Sequence, residues 1–289
     1  MRPYIDTHVH IGETISRSPA VGQSAGRYMG RMADSGVVAA ILSPTAGSPQ
    51  ARGVLDTREQ NQAVATACRL YPKRFPIGLG IVEVRHGRDG VRELERSMDE
   101  DGLLGFMVHP GLSGHSLGGE MHPFMEVVAE RSGLCLLHQA GSTRNIAALA
   151  RRFPQATIII GHVSMNAAAQ RDAIQHCAEL PNVWYDIAQM PADAGADWDL
   201  PQLMAGLNAA HVLFGGDTPY YDYRLVQGLV EAAAITDAQK DAIASGNATT
   251  LIRKFRPDWT PPAEPVVPPQ KYSPEQLWAT KEPGSPRLL

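Results

Sequence analysis

Near the start of the chain, in IDTHVHIG, two imidazoles stand one residue apart at His8 and His10, behind Asp6. On a β-strand, side chains two residues apart share a face. The pair therefore forms a two-toothed clamp suited to a divalent cation, with Asp6 expected further down the same face. Three more such residues follow at the ends of apolar runs: His138 after LCLL, His162 after TIIIG, and Asp217 after VLFGG. Singly, each has a plain structural reading. A histidine on an apolar strand is ordinarily a hydrogen-bonded core residue, and an aspartate after Gly-Gly can cap a helix. Imidazoles and a carboxylate at four separate strand ends are a different matter, and together they point to a functional site.

The elements that must gather these residues are legible as well. Short apolar runs recur at 4–10, 37–44, 75–82, 103–110, 134–139, 157–163, 182–189 and 212–219. Several are nearly continuous in apolar residues, as expected of parallel strands covered on both faces. Between them lie segments with helical spacing, such as DTREQNQAVATACRLYP, GRDGVRELERSMDEDG and STRNIAALARRFP. Eightfold alternation of strand and helix predicts an α/β fold, a (β/α)₈ TIM barrel, in which reactive residues sit at the C-terminal ends of the strands. A doubly wound sheet is the alternative, but no Gly-x-Gly-x-x-Gly follows the first strand. The barrel is expected to span 1–256. From Pro257 the composition turns proline-rich, which reads as an extended tail, 257–289, docked through Trp259, Tyr272 and Trp278 on the body or on a neighbouring subunit. The Gly- and Ser-rich stretch 13–30 reads as a loop, either a mobile lid or a plain surface excursion.

Composition narrows the classes. A formal charge of −4 gives no bias toward nucleic acid or anionic membranes. Three scattered cysteines, Cys68, Cys135 and Cys177, fit neither a disulfide framework nor a CxxC metal site. With no apolar signal segment and no apolar run long enough to span a bilayer, the expected location is the cytoplasm.

The pieces IDTHVHIG, FMVHP, LLHQAGS, FPQATIIIGHVS, PNVWYDIA, VLFGGDTPY and GNATTLI, in that order, resemble the amidohydrolase superfamily and within it the amidohydrolase-2 branch. The resemblance covers residues 4 to about 252. It implies that His8, His10, His138 and Asp217 bind one catalytic metal per subunit, zinc by default with manganese or iron also acceptable to such donors. It places His162 beside the open coordination position, so that Asp217 and His162 are the expected catalytic pair. It also implies a homodimer. Other branches carry a lysine or glutamate on the fourth strand to bridge two metals; here Met107 stands in that region, and without an anionic bridge two close cations repel. One metal is therefore expected, which also argues against a nuclease of the TatD type.

Residues beyond this set are weaker candidates for holding substrate. His109, in Val-His-Pro at the end of the fourth strand, reads first as packing or as support for a ligand, and second as a substrate contact. Arg52, Arg58 and Arg144 could pair with a substrate carboxylate, and Tyr220 could line the pocket. Tyr185-Asp186 could support the site from below. His86, His115, His122, His176 and His211 read as surface residues.

A single metal with water bound to it brings that water's pKa toward ~7. Asp217 could take the water's proton and return it to a leaving group, while His162 holds the attacking oxygen or polarises a carbonyl. The leading reading is thus a hydrolase acting on a C–O or C–N bond of a small carboxylated or cyclic substrate, a lactone or an amide. The alternative is a metal-dependent, non-oxidative decarboxylase of an aromatic or muconate-type acid, which uses the same residues. The third is a non-catalytic metal-bound scaffold with the tail as its interaction element.

Overall fold

A computed structural model describes residues 2–12, 22–47, 51–113, 115–139, 143–163, 166–189 and 200–269. Eight parallel strand positions lie among them. They are β1 (Tyr4–Ile11), β2 (Val37–Pro44), β3 (in two fragments, Ile77–Gly78 and Gly80–Ile81), β4 (Gly105–Val108), β5 (Leu134–His138), β6 (Thr157–Gly161), β7 (Val183–Asp186) and β8 (Val212–Leu213). Each pairs in parallel with the next. The break in β3 has a specific cause. Buried Asn61, from the helix Val54–Leu70, turns its side-chain oxygen to the Ile81 N–H at 2.8 Å, while the Leu79 N–H keeps the pairing to Leu42. The sheet closes where the chain beyond β8 returns to β1: Thr7 N–H donates to the Phe214 carbonyl at 3.0 Å and His10 N–H to the Thr218 carbonyl at 2.8 Å. This is the expected α/β barrel.

Alternation along the strands sorts apolar side chains into two sets. Ile77, Leu79, Ile81, Met107, Leu134, Leu136 and Ile159 pack together inside the barrel. Their neighbours Phe106, Val108, Cys135, Leu137, Ile158 and Ile160 pack outward with residues of the helices. One helix differs from the sequence reading. The second half of the expected loop 13–30 is helical from Ala25 to Ala33, because Ser24 caps it by accepting from Arg27 N–H and Tyr28, Met29 and Met32 are buried at helical spacing. Residues 13–21 lie outside the described residues.

Past the last helix (Asn247–Phe255), the Trp259 indole N–H donates to the Lys73 carbonyl at 3.1 Å, and Arg74 donates to the carbonyls of Glu264 and Pro265. Tyr272 and Trp278 lie outside the described residues. Among the described residues no helix is long and apolar enough to cross a membrane.

Candidate metal centre

Strands β1, β5 and β8 deliver four donors to one point at the C-terminal mouth. The Nε2 atom of His8 lies 3.0 Å from that of His10 and 3.1 Å from that of His138. Asp217 Oδ1 lies 3.1 Å from His10 Nε2 and 3.5 Å from His8 Nε2. All four residues are buried. Donors about 2.1 Å from a common centre are separated by about 3.0–3.4 Å at ordinary coordination angles, so this spacing fits one transition-metal ion.

The tautomers make the fit chemical as well as geometric. His8 Nδ1 faces Asp186 Oδ2 at 2.8 Å, His10 Nδ1 faces the Pro44 carbonyl at 3.0 Å, and His138 Nδ1 faces the Val108 carbonyl at 3.0 Å. These oxygens only accept, so each Nδ1 carries the hydrogen and each neutral ring turns a bare Nε2 lone pair inward. With all three rings neutral, three lone pairs and a carboxylate would face one another with no donor among them. A proton does not resolve this. His8 is pushed up to about 9, because Asp186 and Asp217 outweigh the burial that opposes its charge. Yet one proton on its Nε2 can be shared with His10 or with His138, and not with both. A single divalent cation would satisfy all four.

The surroundings hold these groups in place. Asp186 is fully buried; its Oδ1 accepts from the N–H groups of His162 and Ala188 while Oδ2 takes His8. Gly215 lets β8 approach β1 closely: a Cβ there would stand 3.0 Å from His8 Cβ and 3.2 Å from Asp186 Cγ. At Gly216 a Cβ would reach within 2.5 Å of Asp6 Oδ2. Of five non-glycine residues with positive φ among the described residues, three are here: His162 (66°), Gln189 (55°) and Asp217 (50°). Each follows the end of a different strand. Left-handed backbone at such residues is costly and recurs at functional sites, where packing over-determines it.

His162 completes the cluster without joining the four. Its Nε2 lies 3.9 Å from Asp217 Oδ2, and its ring centre is 4.7 Å from that of His8. Burial and then the charge on His8 bring its pKa down to about 4, so it is neutral at pH 7. Burial and the neighbouring imidazoles push His138 far lower than an ordinary histidine. Burial alone would raise Asp217, but its contact with His10 and the positive potential of His8 hold it well below the usual carboxylate range. Gln189 donates a short amide hydrogen bond to its Oδ2.

The other expected site residues divide. Tyr220 borders the cluster, its ring 5.7 Å from that of His10 and its hydroxyl 3.4 Å from the Ala46 carbonyl. His109 also borders it, 4.8 Å ring to ring from His138; its Nδ1 accepts from Leu112 N–H, which leaves Nε2 as a donor. The arginines are not brought in. Arg52 spends its guanidinium on Asp56 and Glu59, Arg58 pairs with buried Glu93 at 2.8 Å, and Arg144 is exposed on the helix Thr143–Arg152. Asp6 does not share the imidazole face. The register of β1 against β2 shifts between Asp6 and Val9, and the Asp6 carboxylate instead accepts from the Tyr28 hydroxyl and the Gly216 N–H. Of the five histidines read as surface, the His115 side chain is only 4% exposed, and half-buried His211 stacks on Trp184. Gln189 went unread, because its partner lies 28 residues away across the barrel mouth. Of Tyr185 and Asp186, expected to support the site from below, Asp186 stands behind His8, while the Tyr185 hydroxyl donates to the Cys177 carbonyl.

Met107 is buried inside the barrel, and no lysine or acid replaces it as a bridge. Among the described residues one further group could hold an ion, His8, His162 and Asp186, but it reuses His8, whose Nδ1 is already bonded to Asp186.

Comparison with known proteins places this site in context. No curated protein matches the chain by sequence. Solved structures do match by fold. They include 5-carboxyvanillate decarboxylase from Sphingomonas paucimobilis, at 18% identity and a TM-score of 0.63 over 88% of this chain and 99% of that one. A dihydroxybenzoic acid decarboxylase from Polaromonas sp. JS666, with bound manganese and 2-nitroresorcinol, matches at 17% identity and a TM-score of 0.66, over 89% and 98%. The 2,6-dihydroxybenzoate decarboxylase from Rhizobium matches at 15% and 0.65, over 88% and 100%. At such identities the likeness is one of fold. The family described as amidohydrolase (Amidohydro_2) matches across residues 5–254, and the chain belongs to that family.

Proposed function

We propose that this protein is a metal-dependent, non-oxidative decarboxylase of a hydroxylated aromatic acid, with one divalent cation held by His8, His10, His138 and Asp217. The observation that carries it is a four-donor, unbridged site in a barrel whose fold matches three decarboxylases of aromatic acids along nearly their whole length. This reverses the order reached from sequence, where hydrolysis stood first. Manganese is the first metal to test, since it is named in one of those structures, and zinc the second.

When bound, the cation would supply an electrophile for the substrate carboxylate and the neighbouring hydroxyl oxygen. The chain supplies the proton transfers. Asp217, ionised at neutral pH, takes the proton of that hydroxyl. The bond from ring carbon to carboxylate then breaks, its electron pair stays on the ring, carbon dioxide leaves, and Asp217 returns the proton to that carbon. His162, neutral, accepts a hydrogen bond beside Asp217, and His109 offers its Nε2–H to a substrate oxygen. Tyr220 forms an aromatic wall beside His10.

The hydrolase reading is retained for one reason: ionised Asp217 beside neutral His162 is equally suited to taking a proton from water. A homodimer and a reducing compartment belong to the same proposal, and sedimentation tests the first. To separate the chemistries, manganese- and zinc-loaded protein is incubated in D₂O with hydroxybenzoates and, separately, with lactones and amides. The proposal expects carbon dioxide and one deuterium at the vacated ring carbon. Acid release from lactones or amides, with no carbon dioxide from any aromatic acid, contradicts it.

A further inference from the structure

The two oxygens of Asp217 have different partners. Oδ1 faces His10 and His8 Nε2 at 3.1 and 3.5 Å, among the metal donors. Oδ2 faces His162 Nε2 at 3.9 Å and accepts from the side-chain amide of Gln189. Gln189 reaches it from just past the end of β7, with its own backbone in the left-handed region. A glutamine has no conformational reason to take that backbone, which Gly or Asn adopts with less strain. The cost is therefore offset by what the side chain does there. Asp217 is itself left-handed, so two strained residues from adjacent strands meet through a single hydrogen bond.

We infer that Gln189 is a positioning residue that divides the work of the Asp217 carboxylate, reserving Oδ1 for the metal and Oδ2 for the proton. The inference rests on the proton-carrying role of Asp217 proposed above. A carboxylate rotates readily about its last bond, and next to a divalent cation it can bind through one oxygen or both. Bound through both, it has no free oxygen to take or give a proton. The Gln189 amide is a charge-assisted donor on Oδ2, and it opposes that rotation while the oxygen is ionised. Being uncharged, it lets the same oxygen receive a proton and then release it.

The test compares Gln189→Leu, which removes the donor, with Gln189→His, which can restore one, both against wild type in manganese-loaded protein. Wild type is expected to bind manganese through one Asp217 oxygen in a crystal structure, and Gln189→Leu through two or with the carboxylate turned. Metal affinity in Gln189→Leu should be unchanged or tighter, kcat about tenfold or more lower from loss of one charge-assisted bond, and KM little altered. Gln189→His should recover part of kcat. Two-oxygen coordination in wild type, or a Gln189→Leu protein with wild-type coordination and kcat, overturns the inference. If wild type releases no carbon dioxide from any acid, the proposed reaction fails, and the coordination comparison still decides the role of Gln189.

Discussion

Two polar clusters of this barrel, each centred on buried acids or imidazoles, differ in how their charges are met. Around Glu93, on the helix Gly87–Asp99, the charges satisfy one another: Glu93 accepts from Arg58 at 2.8 Å and Arg96 at 2.7 Å, and Arg96 also holds Asp101 at 2.7 Å. At the mouth of β1, β5 and β8, each imidazole spends its Nδ1 hydrogen on an oxygen behind it and turns Nε2 inward. The first cluster is complete as it stands. The second could be completed by a single divalent cation. Burial alone does not identify a site, since Glu93 is as buried as the four donors; unmatched acceptors do.

The largest expected effect comes from breaking the second cluster. Asp217→Asn keeps the shape and hydrogen-bonding size of the residue but removes both its charge and its capacity to carry a proton. Turnover with the best substrate should fall by about three orders of magnitude or more, as when a proton-transfer group is lost, while the thermal transition stays near wild type in metal-free protein. Near-normal turnover would remove Asp217 from the mechanism. Next, Glu93→Ala removes the carboxylate that Arg58 and Arg96 share, while Arg96 keeps Asp101, and should cost about 1.5–3 kcal/mol of unfolding free energy by urea titration, with metal stoichiometry intact. A loss of metal there would erase the contrast between the clusters.

The same residue gives a pH prediction. Burial alone would raise Glu93, but Arg96 and Arg58 outweigh it and its pKa is lowered in the folded chain. The unfolded value is about 4.3. Its contribution to stability is therefore full above that pH and is lost as pH falls through the folded value. Glu93→Gln should flatten this acid limb of the stability curve, and an unchanged limb would show that other carboxylates govern it.

A smaller effect is expected behind the metal. Asp186→Asn leaves His8 with a weaker partner for its Nδ1–H, and metal affinity should drop about 10–100-fold by competition with a chelator. Smallest of all is Arg52→Ala, which removes exposed ion pairs with Asp56 and Glu59 and should leave metal content and KM unchanged.

The same contrast explains what was legible in the sequence. His8, His10, His138, His162 and Asp217 could be placed because strand ends are readable from apolar runs, and a barrel brings all strand ends to one rim. The arginines could not be placed. Arg58 finds Glu93 35 residues away on the neighbouring helix, a contact that no local spacing encodes. Asp6 was misassigned for a related reason: simple alternation holds only while the register is regular, and the shift between Asp6 and Val9 reverses it. The helix Ala25–Ala33 was hidden because Gly26 and Gly30 make its segment read as loop, although Ser24 and the buried Tyr28, Met29 and Met32 supply a cap and an apolar face. Gln189 left no trace in a single sequence, since its role depends on a carboxylate delivered by another strand.

The most direct test of the metal centre is anomalous diffraction from crystals of the manganese-loaded protein. One peak per chain is predicted, about 2.1–2.3 Å from Nε2 of His8, His10 and His138 and from Oδ1 of Asp217. An empty cluster at full loading, or two peaks bridged by another residue, would contradict the account.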